Sequence, residues 1–342
     1  MRGLTIRSCA AVAAVVALAA GCGSSSSGGN KPSSATPASE LASSVHALGD
    51  AQTLDLSFAL GASGADLLQI GSGLGAGPTK AQADAISNDH IAIELQAPSG
   101  KTLRDNGPGT TAGGGAFALT LGDAHRDYFS LESVGGSLYA RIDLHYFLGL
   151  VNGAPSFNRL SRQVAGAPTF VRDALAGKWI SVPAATLKSL SGLAHGQAGA
   201  TPSAGKFLSL SNKVLTTFLN DLTVTRIASG STDHLGLDFR LRSAISDEYA
   251  AVSPMLSALI PGGSGLPALH PANIPDVAVH LDAYVTNGAL SKLVLDAGQF
   301  DTHEHISVPI ELNISQQGPT ITAPGGATPV DLTSIGQLLG GA

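Results

Sequence analysis

From residue 39 onward the chain switches between two hydrophobic periods. Leu41, Val45 and Leu48 share the spacing of one helical face, so Ser39 to Leu48 is predicted to be a short amphipathic helix capped by Ser39. Strand-like alternation follows at Thr53 to Leu60, His90 to Gln96, Gly115 to Leu121, Arg126 to Ser133 and Ser137 to Leu144. Between the first two, Ala62 to Asp89 reads as a Gly-rich excursion with one short helix at Lys80 to Ser87. Val134-Gly135-Gly136 predicts a tight hairpin, because its glycines accept the positive φ such a turn needs. Within Ser137 to Leu144, Leu138, Ala140 and Ile142 point one way, and Tyr139, Arg141 and Asp143 the other. That is a sheet with one buried face.

Helical spacing returns over Phe157 to Ala176, and Trp179 to Val182 reads as a short strand. Pro183 to Gly205 reads as a helical turn that continues into a Gly/Ala/Ser-rich loop or hinge, after which the order repeats. Lys206 to Leu219 carries Phe207, Leu210, Val214 and Phe218 at helical spacing, followed by strands at Leu222 to Ala228 and Asp233 to Arg242. A helix at Ile245 to Leu259 and a Pro/Gly-rich loop precede strands at Asp276 to Val285, Ala289 to Ala297 and His305 to Ser315. Asn287-Gly288 is a strong hairpin signal between the first two of these.

The first 38 residues follow a different pattern. Arg2 and Arg7 precede an unbroken apolar run, Ala10 to Ala20, which has the layout of a secretory leader. A spanning helix would need ~20 apolar residues, more than this run supplies. The run ends at Leu18-Ala19-Ala20-Gly21-Cys22, which resembles the bacterial lipobox, with Leu18 four residues before the cysteine rather than three. The resemblance implies cleavage before Cys22, a diacylglycerol thioether on its sulfur and usually a third acyl chain. Gly23 to Ser39 is Gly/Ser/Pro/Ala-rich with Lys31 its one charge, too polar to bury a core, and reads as a flexible tether. The expected organisation is therefore a leader over 1–21, a tether over 22–38 and one domain over 39–342, with halves at about 39–200 and 201–342. Several acyl chains suffice for stable anchoring, which places the domain on the extracytoplasmic side of a cell membrane.

Loss of Arg2 and Arg7 with the leader takes the formal net charge from -6 to -8. An acidic chain is a poor match for nucleic acid, whose phosphates demand a basic surface. Cys9 leaves with the leader and Cys22 is consumed by lipid, so no disulfide and no cysteine-based metal or catalytic site is expected. Roughly 300 residues must then fold on their core alone, a length that allows one large domain.

Three stretches carry a wider resemblance. Val285 to Leu295, then Val308 to Ile314, then Ile321-Thr322-Ala323-Pro324 with Thr328 to Leu332, resemble the carboxy-terminal end of the LppX/LprG-type actinobacterial lipoproteins. Gly135 to Tyr139 and Gly177 to Ile180 resemble that family's glycine-turn-tyrosine and tryptophan strands. This chain is longer than the short family members, with extra sequence near Ala62 to Asp89 and Leu187 to Gly205. The resemblance implies an α+β, LolA-like fold: a strongly curved, incompletely closed antiparallel sheet wrapped around helices in two similar halves. It implies a non-catalytic lipid or glycolipid binding protein for transport or presentation in the envelope. Its partners would be the membrane through the anchor, an acyl-chain ligand and an envelope transporter, with a monomeric chain and no cofactor. Candidate lining residues are Ile91, Ile93, Phe117, Leu119, Leu138 and Ile142 from the first half, and Leu237, Phe239, Val279, Leu281, Leu293 and Ile310 from the second. Helical candidates are Phe157, Leu160, Phe170, Val214 and Phe218. Alternation alone does not separate such a lining from a packed core, since both need the same pattern.

Two other classes share this pattern. One is an interaction or sensor module whose pocket is filled by side chains; the other is an envelope hydrolase with a dispersed site. No Gly-x-Ser-x-Gly elbow, His-Glu-x-x-His, P-loop or dinucleotide fingerprint supports an enzyme. His303-Glu304-His305 could present two imidazoles on one strand face but lacks an evident third ligand, and Asp301 with Glu304 reads as a solvated turn. Trp179 reads as an anchor between sheet and helix rather than a ligand-stacking ring.

Overall fold

The computed structural model describes residues 36–72, 78–105, 115–150, 157, 162, 164, 166–187, 222–247, 249–250, 274–300 and 306–330. The leader, Cys22, the tether as far as residue 35, Leu160, Val214, Phe218, the 206–219 helix and His303-Glu304-His305 lie outside them. So do most of the 183–205 loop and the end of the 245–259 helix. Among the described residues no helix is long and apolar enough to cross a membrane.

The chain divides into two compact units that interleave in sequence. One holds the described residues of Met1–Gln52, Lys101–Gly107 and Gln197–Gln316; the other holds those of Thr53–Gly100, Pro108–Gly196 and Gln317–Ala342. The units therefore exchange their ends relative to a simple cut near residue 200. The opening helix belongs with the later strands, and the final segment belongs with the earlier ones.

In the first unit, α1 (Pro37–Gly49) packs on a five-stranded antiparallel sheet. Its strands are β7 (Thr223–Ala228), β8 (Thr232–Arg240), β9 (Ala278–Thr286), β10 (Ala289–Asp296) and β11 (Pro309–Ser315), paired in that spatial order. The helix starts earlier than its apolar spacing predicts. Thr36, not Ser39, is the cap: its hydroxyl accepts from the Ser39 N–H at 3.3 Å, and Pro37 supplies the preset φ of a first helical turn. Leu41, Val45 and Leu48 are buried, a contribution of about 2 kcal/mol each. Three groups close the far end of α1: Arg104 Nη2 donates to the His46 carbonyl at 3.0 Å, the Arg104 N–H to that of Gly49 at 2.9 Å, and Gln316 to that of Ala47 at 2.8 Å. β8 ends at Arg240, and residues 241–247 are helical, so the predicted strand is two residues too long.

The second unit is a seven-stranded sheet with short helices. β1 (Thr53–Leu60), β2 (His90–Gln96), β3 (Ala116–Gly122), β4 (Asp127–Val134), β5 (Ser137–Ile142) and β6 (Ile180–Val182) pair antiparallel in sequence order. β12 (Thr328–Pro329) adds a parallel edge to β6. The helices are α2 (Gly64–Ser72), α3 (Lys80–Asn88), α4 (Leu144–Leu150) and α5 (Thr169–Leu175). Two of them depart from the sequence reading. α2 falls inside the supposed excursion, where Ser63 and Asp66 cap it reciprocally: Asp66 accepts from the Ser63 N–H at 2.9 Å, and the Ser63 hydroxyl from the Asp66 N–H at 3.3 Å. α4 replaces the last residue of a predicted strand, because Asp143 accepts from the Tyr146 N–H at 3.0 Å and turns the chain into a helix.

Both hairpins are as predicted. Gly135 and Gly136 have φ of 58° and 78°, and Asn287 and Gly288 have 55° and 79°, the paired positive angles of a type I′ turn. Open antiparallel sheets with flanking helices give the α+β class read from the sequence.

Candidate functional site

Residues directly opposite on paired strands share a face, so register assembles the side chains into rows. In the seven-stranded unit one row is Leu56, Ile93, Leu119, Leu131, Ala140 and Ile180. A second is Leu54, Leu95, Phe117, Ser133, Leu138 and Val182, and a third is Phe58, Ile91, Leu121, Phe129 and Ile142. Ser133 is the single polar member. This face is apolar from β1 to β6.

Its burial is incomplete. Leu54 and Leu56 on β1 are sealed, but every member from β2 to β6 is partly exposed, and Ile91 reaches 41%. Six of the predicted lining residues, Ile91, Ile93, Phe117, Leu119, Leu138 and Ile142, are brought together here. Phe157 is a half-buried helical residue whose ring stands edge-on to His145 at 5.5 Å, and Phe170 is half-buried on α5.

The candidates of the five-stranded unit have a different environment. Leu237, Val279, Leu281 and Leu293 are at most 5% exposed, on the face that also buries Leu235, Ala283, Val285, Leu290 and Leu312. They are packed core. Phe239 and Ile310, in the outer rows of that face, are half-buried.

The opposite face of the seven-stranded sheet is polar and covered at both ends. At one end the Tyr146 ring, carried by α4, stacks on Tyr128 with centroids 3.4 Å apart, and the Arg126 guanidinium lies 5.1 Å and 5.6 Å from the two ring centres. The Tyr128 hydroxyl donates to Asp123, and the Tyr146 hydroxyl to Asp89 at 3.0 Å. The Tyr128 bond, reinforced by the His125 and Arg126 N–H groups, holds the Asp123 carboxyl down at about 2. Burial, aided by the Asp89 bond, pushes the Tyr146 hydroxyl up. In the middle, Arg141 bonds Asp127 at 2.9 Å and Ser130 at 3.3 Å, and its guanidinium lies 5.1 Å from the Trp179 ring centre. Trp179 is thus engaged by a cation of its own sheet. At the other end the Gln317–Val330 segment crosses the strands.

The sequence reading did not single out the tyrosine pair. Its local signal was Asp143 followed by Leu-His-Tyr-Phe, a helix start that would carry Tyr146 back onto the sheet.

Two His–Asp pairs lie on the polar face of the five-stranded sheet. His234 Nε2 lies 2.7 Å from Asp282, His280 Nδ1 2.8 Å from Asp238, and the Asp238 bond raises the His280 pKa. Among the described residues neither imidazole is hydrogen-bonded to a serine, threonine or cysteine, so no nucleophile–base pair is assembled there. Nor, among those residues, is any group of three His, Cys, Asp or Glu side chains placed to hold a metal ion.

No protein-family model and no curated protein sequence matches this chain. Among solved structures, the chain is similar to the Mycobacterium tuberculosis lipoprotein LppX, at 10% sequence identity and a TM-score of 0.32. The match covers 84% of this chain and 97% of that one.

Proposed function

We propose that this chain is a membrane-anchored extracytoplasmic lipoprotein that binds the acyl chains of a lipid or glycolipid without catalysis. The observation that carries this reading is the half-open apolar face of the seven-stranded sheet. Strands β2 to β6 offer two in-register apolar rows, and β2 to β5 a third, that remain partly exposed. An acyl chain lying along those rows would complete their burial. Each CH2 removed from water contributes ~0.8 kcal/mol, so a sixteen-carbon chain gains on the order of 10 kcal/mol before ordering costs. The strand backbone can line such a site without penalty, because its polar groups are paired along the ladders.

Anchoring at Cys22 fits this use. A tether of ~14 residues samples roughly 20 Å r.m.s., which keeps the binding face near its source of cargo. Carriage or presentation in the envelope then follows from the ligand and the anchor together.

The test is native mass spectrometry of the mature chain made in an actinobacterial host. Lipid should leave with the protein and be released on denaturation, and an Ile93→Asp variant should lose it while staying folded. A wild-type chain that is lipid-free and refuses acylated probes would exclude the proposal.

A further inference from the structure

The Gln317–Val330 segment carries no Asp, Glu, Lys, Arg, His, Cys or Tyr. It nevertheless crosses the most acidic part of the seven-stranded sheet. Asp55, Glu94, Ala118 and Glu132 are directly paired across β1 to β4, so three carboxyls lie in one row on the polar face. Gly318 sits over the first: a side chain added there would meet Asp55 Cβ at 3.5 Å. Ile321 is buried against Ala118 and Ala116, and Ala118 is the residue between Glu94 and Glu132.

Two backbone amides of this stretch bond neutral side chains. The Gly318 N–H donates to Thr53 Oγ1 at 3.1 Å, and the Ile321 N–H to Gln96 Oε1 at 2.7 Å. Downstream the grip is different. The Thr328 N–H donates to the Trp179 carbonyl at 2.9 Å, the Val330 N–H to that of Ser181 at 2.8 Å, and the Thr328 hydroxyl to Asp173 at 2.7 Å.

Charges face Glu94 from three strands. β1 contributes Asp55, β4 contributes Glu132 and Asp127, and β5 contributes Arg141, which is already paired with Asp127. β3 contributes no charge to the row, and neither does the covering segment. Four carboxyls thus share one guanidinium among the described residues. Covering ionised carboxylates without cations is unfavourable, because they lose water and gain only like-charged neighbours.

We propose that Gln317–Thr322 is a pH-dependent cover, seated on the sheet when the Asp55–Glu94–Glu132 row holds protons and loosened when the row ionises, while the clasp on β6 stays closed. The direction follows from linkage. Burial raises all three carboxyl pKa values, and Glu94 is raised further by Asp55, Glu132 and Asp127. The seated form therefore binds more protons than the open one, and seating weakens as pH rises through the carboxylate range. Asp173 behaves oppositely. Its bonds to Lys178 and Thr328 lower its pKa, so the clasp is ionised and intact at neutral pH.

Hydrogen exchange of the full mature chain at pH 4 to 8, a window that begins in the ordinary carboxylate range, with rates divided by the intrinsic rate at each pH, tests this. Protection of the Gly318 and Ile321 amides should fall about tenfold across that range, while Thr328 and Val330 hold. Glu94→Gln should keep the Ile321 amide protected at pH 8, and Glu132→Gln, on the other side of Ile321, provides the same reading if the first variant fails to fold. A flat wild-type profile overturns the proposal. So does a fall of equal size in a folded Gln variant, or one shared by Thr328 and Val330.

Discussion

The two sheets are built from the same alternating pattern, yet one apolar face is closed and the other is not. In the five-stranded unit the Leu237–Leu281 and Ala283–Leu293–Leu312 rows are fully buried, in a unit where α1 adds Leu41, Val45 and Leu48 to the core. In the seven-stranded unit equally apolar rows through Ile93, Leu119 and Leu138 stay half-exposed from β2 onward. What differs is the cover on the opposite side. Among the described residues, the polar face of the seven-stranded sheet carries Tyr146 at one end and the Gln317–Val330 segment at the other. Alternation identifies which face is apolar; what is laid over it decides whether that face is core or available surface.

Charge insertion gives the largest expected contrast. Leu281→Arg places an unpaired cation in closed packing and should abolish near-UV dichroism and the cooperative melt. Leu119→Arg should leave both intact and abolish uptake of an acylated probe. Equal unfolding of the two variants would erase the distinction between the sheets. Truncation should rank the same way. Leu237→Ala is expected to cost about 2–5 kcal/mol in urea unfolding, and Leu138→Ala less than about half of that, since its site already meets solvent.

Smaller effects test the polar face of the seven-stranded sheet. At Gly122, where β3 bends toward β4, a Cβ would lie 2.5 Å from the Arg126 carbonyl oxygen and 2.9 Å from Asp127 Cα. Gly122→Ala should lower stability by about 1–3 kcal/mol, read as a fall in melting temperature. Least of all is the Tyr128–Asp123 bond. Because the Asp123 pKa is depressed in the folded chain, its contribution is complete above the unfolded carboxyl value of 3.8 and fades as pH falls toward 2. Tyr128→Phe should move the Asp123 titration, followed by carbon NMR, back toward that ordinary value.

The sequence makes some of this legible and hides the rest for identifiable reasons. Gly135-Gly136 and Asn287-Gly288 declare their turns because few residues tolerate paired positive φ. α1 is visible from Leu41, Val45 and Leu48, but its start is set by Thr36 and Pro37, which lie outside the apolar spacing. α2 is hidden because its glycines read as loop; the Ser63-x-x-Asp66 box was the available signal. The six candidate positions from β2, β3 and β5 are legible as one apolar face, whereas its partial exposure is not, since Leu237 and Leu281 follow the same pattern and are sealed. The Asp55–Glu94–Glu132 row is invisible in the linear chain. Only cross-strand register brings residues 39 and 38 positions apart into line.

The exchange of ends between the units has a mechanical consequence. The first described helix, α1, belongs to the closed unit, so a pull applied at its amino-terminal end loads Leu41, Val45, Leu48 and the Glu40–Arg226 ion pair. Arg104 and Gln316 brace the far end of the same helix. Tension applied there would therefore meet the tightly packed unit first, at a helix whose apolar side is sealed and whose far end is braced.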